Sequence, residues 1–261
     1  MVALPMVVAT RYATPLREGG SLPAIVEADD GALWVAKFRG AGQGSRALVA
    51  EVIAGELARA LGLRAPALAR LELDERLARA EPDPEIADLL RASVGTNLAM
   101  TYLPGALAFD PAARPDVPEA LASLVVAFDA FAMNVDRSAR NPNLLWWQGE
   151  LWLIDHGAAF YWHHDWDGRV DVRPRPFPRV VDHVLLPWAA ALPEAGQRLQ
   201  GAFDDASIAR AVDLVPAEWL EAGDAAAEAA RRAAYAAQLR ARRDAAPSFI
   251  EEAMRARARS V

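Results

Sequence analysis

The sequence predicts an α+β protein of two lobes, a β-rich N-terminal lobe with one main helix (residues 1–104) and a mostly helical C-terminal lobe (residues 105–261). Three observations predict it. Residues 6–38 combine β-branched and aromatic runs with Gly- and Asp-containing turns, the patterning of strands joined by hairpins. From Pro118 onward, Leu121, Leu124, Val125, Phe128 and Phe131 recur at helical spacing. Between these regimes Pro104-Gly105 breaks the chain and marks a hinge.

The elements follow in order. Strands are expected at residues 6–16 and 22–28, with the turn signal Gly19-Gly20-Ser21 between them. Asp29-Asp30-Gly31 then turns the chain into a third strand, 33–38, as a hairpin. Side chains alternate along a strand, so Leu33, Val35 and Lys37 share one face. A glycine-rich connector, 40–44, leads to a helix over 45–61, with Ser45 as its N-cap and Gly62 placed to end it. Further strands are expected at 67–75 and 97–103. Pro118 opens a helix that runs to about Met133. Residues 144–147 and 151–155 flank Gln148-Gly149-Glu150 as a short hairpin. Residues 157–187, rich in Pro, Arg and aromatic side chains, read as one ordered loop, and two or three helices finish the chain, one over 222–243.

Composition narrows the function. At 261 residues and 53% hydrophobic, the chain can bury a sizeable core. A net charge of −7 argues against a nonspecific nucleic-acid binder. With no cysteine, a disulfide scaffold, a thiol nucleophile and a Cys-based metal site are excluded. No run of about 18 uncharged apolar residues suits a membrane span, and the apolar start lacks the positive flank of a signal peptide. A cytoplasmic protein that binds neither membrane nor nucleic acid is therefore expected. The basic residues hold the sharpest asymmetry: of 28 Lys plus Arg, Lys37 alone is lysine.

Lys37 precedes a helix that carries Glu51 and Glu56. The stretch Asn134-Val135-Asp136-Arg137-Ser138-Ala139-Arg140-Asn141 comes directly off a helix, and Ile154-Asp155-His156-Gly157 ends a hairpin strand. Phosphoryl transfer from ATP uses a lysine on the phosphates, a glutamate that orients it, an aspartate at the acceptor hydroxyl, and an Asn and an Asp that hold Mg²⁺. Asp136 and Asn141 have the spacing of the kinase D-x-x-x-x-N loop, and Asp155-His156-Gly157 stands where kinases carry D-F-G. Two glutamates compete for Lys37. Glu51 shares a helical face with Ala54, Gly55 and Ala58, whereas Glu56 falls among Leu48, Val52, Ile53 and Leu57, where a carboxylate would need a partner.

Through residues 34–38, Ala50-Glu51 to Leu61-Gly62-Leu63 with Pro66, Asp136-Arg137 with Asn141, and residues 154–157, the chain resembles the HipA-like branch of the protein-kinase-like fold. The resemblance frames about residues 20–160. It implies a two-lobed kinase with ATP and Mg²⁺ and a protein serine or threonine as acceptor. It also implies that Lys37 binds the ATP phosphates with Glu51 as partner, that Asp136 is the catalytic aspartate, and that Asn141 and Asp155 hold Mg²⁺. The adenine would lie between the lobes against backbone near Met100, Tyr102 and Leu103. Gly19-Gly20-Ser21 suits either a loop over the phosphates or a plain hairpin turn. Ser138 stands where many related loops carry histidine, and no Ala-Pro-Glu follows Gly157. The same residues would also serve a small-molecule or lipid phosphotransferase, or a nucleotide-binding pseudokinase acting as an interaction module.

Other features have plainer expectations. His156, His163 and His164 lack H-E-x-x-H spacing and read as solvated loop histidines. Trp146, Trp147, Trp152, Trp162 and Trp166 read as packing of the hairpin and loop against the helical lobe. No G-x-S-x-G supports a serine hydrolase.

Overall fold

The computed structural model describes residues 3–16, 22–42, 44–166, 169–171 and 176–260, so the Gly19-Gly20-Ser21 turn lies outside the described residues. Strands β1 (Met6–Pro15), β2 (Ala24–Ala28), β3 (Leu33–Lys37), β4 (Leu68–Leu73) and β5 (Gly95–Thr101) close into a barrel in the order β1-β2-β3-β5-β4. Neighbours are antiparallel except β1 and β4, whose parallel pairing closes the barrel. Five strands enclose little space, and alanines fill much of it: Ala24, Ala28, Ala36, Ala69 and Ala99 are buried with Val26, Phe38 and Leu71. The opposite face of β5 presents Leu98 and Met100, which join the larger core. Lys37 pairs with Leu98 and Val35 with Met100, so the lysine stands on that outer face.

Helix α1 (Gly44–Ala60) lies against this face. It is buried continuously from Ala47 to Gly55, so it has no polar side to speak of. Its far end closes with two backbone bonds, Gly62 N to Arg59 O at 2.9 Å and Leu63 N to Ala58 O at 2.9 Å. Gly62 sits at φ +85°, the left-handed turn that this paired closure requires.

Two helices depart from the expected single helix of the N-terminal lobe: α2 (Glu75–Ala80) and α3 (Pro84–Ala92), between β4 and β5. Both are short, each starts at an Asp cap, and Leu77, Ile86, Leu89 and Leu90 turn inward onto the barrel core. Asp74 accepts from Arg76 N, while Asp83 accepts from Glu85 N and Ile86 N ahead of Pro84.

The rest is helical around α4 (Glu119–Ala132), buried over most of its length and ended by Met133 at φ +51°. Arg242 donates to Ala130 O at 2.7 Å and Phe131 O at 3.2 Å, satisfying the last carbonyls of α4 where a cation is favourable. A short strand β6 (Leu107–Ala108) joins the hairpin β7 (Leu144–Trp147) and β8 (Glu150–Leu153) in a second sheet. The expected single loop over 157–187 is broken by 3-10 turns at Tyr161–Asp165, Pro178–Asp182 and Leu186–Trp188. Among the described residues four helices finish the chain rather than two or three: α5 (Leu192–Ala202), α6 (Asp205–Asp213), α7 (Ala225–Asp244) and α8 (Ala246–Ser260). Among the described residues no helix is long and apolar enough to cross a membrane.

Candidate active site

The strand β3 delivers Lys37 to the seam between barrel and helices, where its ammonium meets two carboxylates. Its Nζ donates to Glu51 Oε1 from α1 and, at 2.6 Å, to Asp155 Oδ1 just beyond β8. The side chains of Lys37 and Glu51 are 7% and 1% exposed, while that of Asp155 is 35% exposed, so the cluster opens towards solvent on the aspartate side. Burial alone would lower the lysine's pKa, but the charges of Glu51 and Asp155 outweigh it and hold the ammonium above its ordinary value. Burial would likewise raise Glu51, yet Lys37 and His156 keep its carboxyl well below the usual range. Asp155 is pushed up, by burial first and by the Glu51 charge, with Lys37 opposing. The competing glutamate lies elsewhere: Glu56 pairs with Arg59 on its own helix.

Local geometry explains the Asp-His-Gly run. Asp155 adopts φ +54°, a left-handed turn that aspartate tolerates better than most residues, and its Oδ1 accepts from Gly157 N at 3.4 Å. A β-carbon at Gly157 would lie 3.3 Å from Glu51 Oε1 and 3.5 Å from Asp155 Oδ1, so glycine lets the chain pass close to the charged cluster. His156 turns inward, with Nδ1 3.7 Å from Glu51 Oε2 and its ring edge-on to Phe128.

The loop after α4 presents Asp136. Its backbone N–H donates to Asn134 Oδ1 at 3.1 Å, and its Oδ2 accepts from Asn141 Nδ2 at 2.9 Å and Asn143 Nδ2 at 3.4 Å. Asn143 also donates to Asp136 O at 2.9 Å. Beneath the loop Arg137 is fully buried against Asp129, which His183 also reaches at 3.0 Å.

Lys37, Asn141 and Asp155 line one cleft of about 540 Å³ together with Val35, Leu145 and Ile154. Met100, Tyr102 and Leu103 line the same cleft. A metal site is chemically reasonable there. Asn141 spends its amide nitrogen on Asp136 and keeps its carbonyl oxygen, and Asp155 has a second carboxylate oxygen beyond the one bonded to Lys37. Among the described residues no three His, Cys, Asp or Glu gather as a self-sufficient metal site. An ion held by these two oxygen donors would complete its shell with phosphate oxygens and water, as magnesium commonly does.

Two histidines correct the expectation of solvated side chains. His156 and His163 are buried, the latter with Nδ1 3.1 Å from the Tyr235 hydroxyl. Neighbouring aromatics exclude water there: Trp162 and Trp166 pack against each other and against Tyr235. Three residues lie outside the sequence expectations: Asn143, which lines the cleft, and Asp129 and His183, buried beneath the loop. Asp129 alone carried a signal, a carboxylate in the middle of an otherwise apolar helical run.

The fold is similar to that of a kinase. The crystal structure of the Helicobacter pylori proinflammatory kinase CtkA matches at a TM-score of 0.54, covering 95% of this chain and 98% of that chain at 13% sequence identity. The profile of HipA-like kinases matches residues 10–252, and the chain belongs to that family. No curated protein sequence matches it significantly.

Proposed function

We propose that the protein is an ATP- and Mg²⁺-dependent kinase of two-lobed, protein-kinase-like architecture that transfers the γ-phosphoryl group to a hydroxyl, with a protein serine or threonine as the acceptor. The observation that carries this reading is the meeting of Lys37, Asn141 and Asp155 in one cleft that also includes residues 100–103. In this reading the adenine lies against the backbone of Met100, Tyr102 and Leu103. Lys37, held charged by Glu51 and Asp155, binds phosphate oxygens as a compact point charge. Asp136 faces the acceptor hydroxyl with a carboxylate oriented by Asn141 and Asn143. As the hydroxyl oxygen bonds to the γ-phosphorus, Asp136 takes its proton, the bond to the β,γ-bridging oxygen breaks and ADP departs. Magnesium on Asn141 and Asp155 would supply charge neutralisation at the phosphates.

Thermal unfolding with and without nucleotide tests the site. ATP with Mg²⁺ is expected to raise the melting temperature, and Asp155→Ala to abolish the metal-dependent part of the rise. No shift with any nucleotide would overturn the reading. Labelling from γ-labelled ATP in protein rather than metabolite fractions supports the protein acceptor; label confined to metabolites identifies a small-molecule phosphotransferase instead.

A further inference from the structure

Asp129 is a fully buried carboxylate that does not line the cleft, yet three side chains converge on it. Its Oδ1 accepts from Asn134 Nδ2 at 3.1 Å; its Oδ2 accepts from Arg137 Nε and lies 3.0 Å from His183 Nε2. The histidine's other nitrogen fixes its tautomer. Nδ1 accepts the Leu185 N–H at 3.0 Å, so Nε2 carries the proton and donates to Asp129. Arg137 then reaches outward through Nη1 to Asn143 O at 2.5 Å and Ile154 O at 3.4 Å. Those carbonyls belong to the segments that carry Asn141 and Asp155. The backbone adds its own tie, with Val184 N donating to Arg137 O at 3.0 Å and Ser138 bridging to His183.

We propose that His183 and Asp129 are positioning residues, a buried strut that acts through Arg137 to fix the spacing between the Asn141 and Asp155 segments and thereby sets magnesium affinity. The role rests on the reading of Asn141 and Asp155 as the metal ligands. A guanidinium can hold two backbone carbonyls in place only if it is itself held. One charged contact leaves the carboxylate free to turn, whereas His183 beside Arg137 on Oδ2 and Asn134 on Oδ1 engage both oxygens and fix its plane. His183 arrives from a segment far downstream of Asn141 in sequence, so the strut also joins the Asp136–Asn141 loop to the chain packed under it.

Two variants of the full-length protein test this. His183→Leu removes the donor, and His183→Gln keeps an N–H at a comparable reach. In the absence of nucleotide, hydrogen–deuterium exchange in His183→Leu is expected to quicken over residues 136–143 and 153–157 while the barrel strands stay as in wild type. With a nonhydrolysable ATP analogue, its apparent Kd for Mg²⁺ is expected to weaken on the order of tenfold to a hundredfold, with metal-free nucleotide affinity little changed. His183→Gln should restore much of both. Wild-type exchange at both segments in His183→Leu, or a uniform rise that includes the barrel, would overturn the strut. A wild-type protein that binds no nucleotide would overturn the kinase reading separately, and exchange would still decide the strut.

Discussion

Replacing Lys37 by arginine keeps the charge and changes the shape of the group between Glu51 and Asp155. The ammonium is a small point that serves two carboxylates at once; a planar guanidinium is wider and needs room that a nearly fully buried site does not offer. Lys37→Arg is therefore expected to cost roughly 1–3 kcal/mol of stability by overpacking, and about a hundredfold or more in phosphoryl transfer because the cation no longer sits where the lysine places it. Unfolding midpoints and kcat with ATP report the two effects, and wild-type kcat would contradict the role given to Lys37. The lysine was legible in the sequence because it stands alone among arginines and on an apolar strand face. Its glutamate was harder to choose. Helical-wheel reasoning presumes a wet side and a dry side, and α1 is buried on nearly all sides, so the wheel does not separate Glu51 from Glu56. What separates them is the cation each one meets, Lys37 for Glu51 and Arg59 for Glu56. His183 was invisible because its partner, Asp129, lies 54 residues away in sequence.

Among the elements, α1 couples the barrel to the helical body, and its first turn is tied to the chain beyond β8. In its first turn Arg46 donates to His163 O at 3.0 Å and to His164 O, tying the helix start to the turn that follows Asp155-His156-Gly157. His163 is buried there, and its pKa is pushed from 6.5 down to about 3, by burial first and then by the charges of His164 and Arg46. A depressed folded-state value means that the unfolded chain binds the proton more readily. The stability contribution is complete above about pH 6.5 and drains as pH falls towards 3. Between pH 7 and pH 5 the wild type is expected to lose about 2 kcal/mol more than a His163→Gln variant, roughly 4–8 °C in melting temperature. Equal losses in the two proteins would show that His163 is not the titrating group. Long elements with strong end signals, such as α1 and α4, were legible to within a residue or two. The short helices α2 and α3 were not: α2 has little more than one turn, and α3 shows its apolar side only through Ile86, Leu89 and Leu90 within nine residues.

For the whole molecule, the arrangement is a small alanine-filled barrel joined to a helical body, with the cleft along one face of β3 and β5. The order of motifs along the chain was legible because strand, helix, loop and hairpin each carry local signals. Closure of the barrel was not, since β1 meets β4 in parallel after a crossover that leaves no local mark. Nor was the convergence of Asp129, Arg137 and His183, which depends on tertiary packing alone. The central proposal concerns chemistry beside the cleft, with Asp136, whose Oδ2 accepts from the cleft-lining Asn141 and Asn143, as the residue that would face the acceptor. The most direct measurement is transfer of label from γ-labelled ATP by wild-type and Asp136→Ala proteins of matched Mg²⁺·nucleotide affinity. The expected result is transfer by wild type, reduced about 10²–10⁴-fold in the variant; no transfer by a wild-type protein that binds Mg²⁺·ATP, or equal rates in the two proteins, would contradict it.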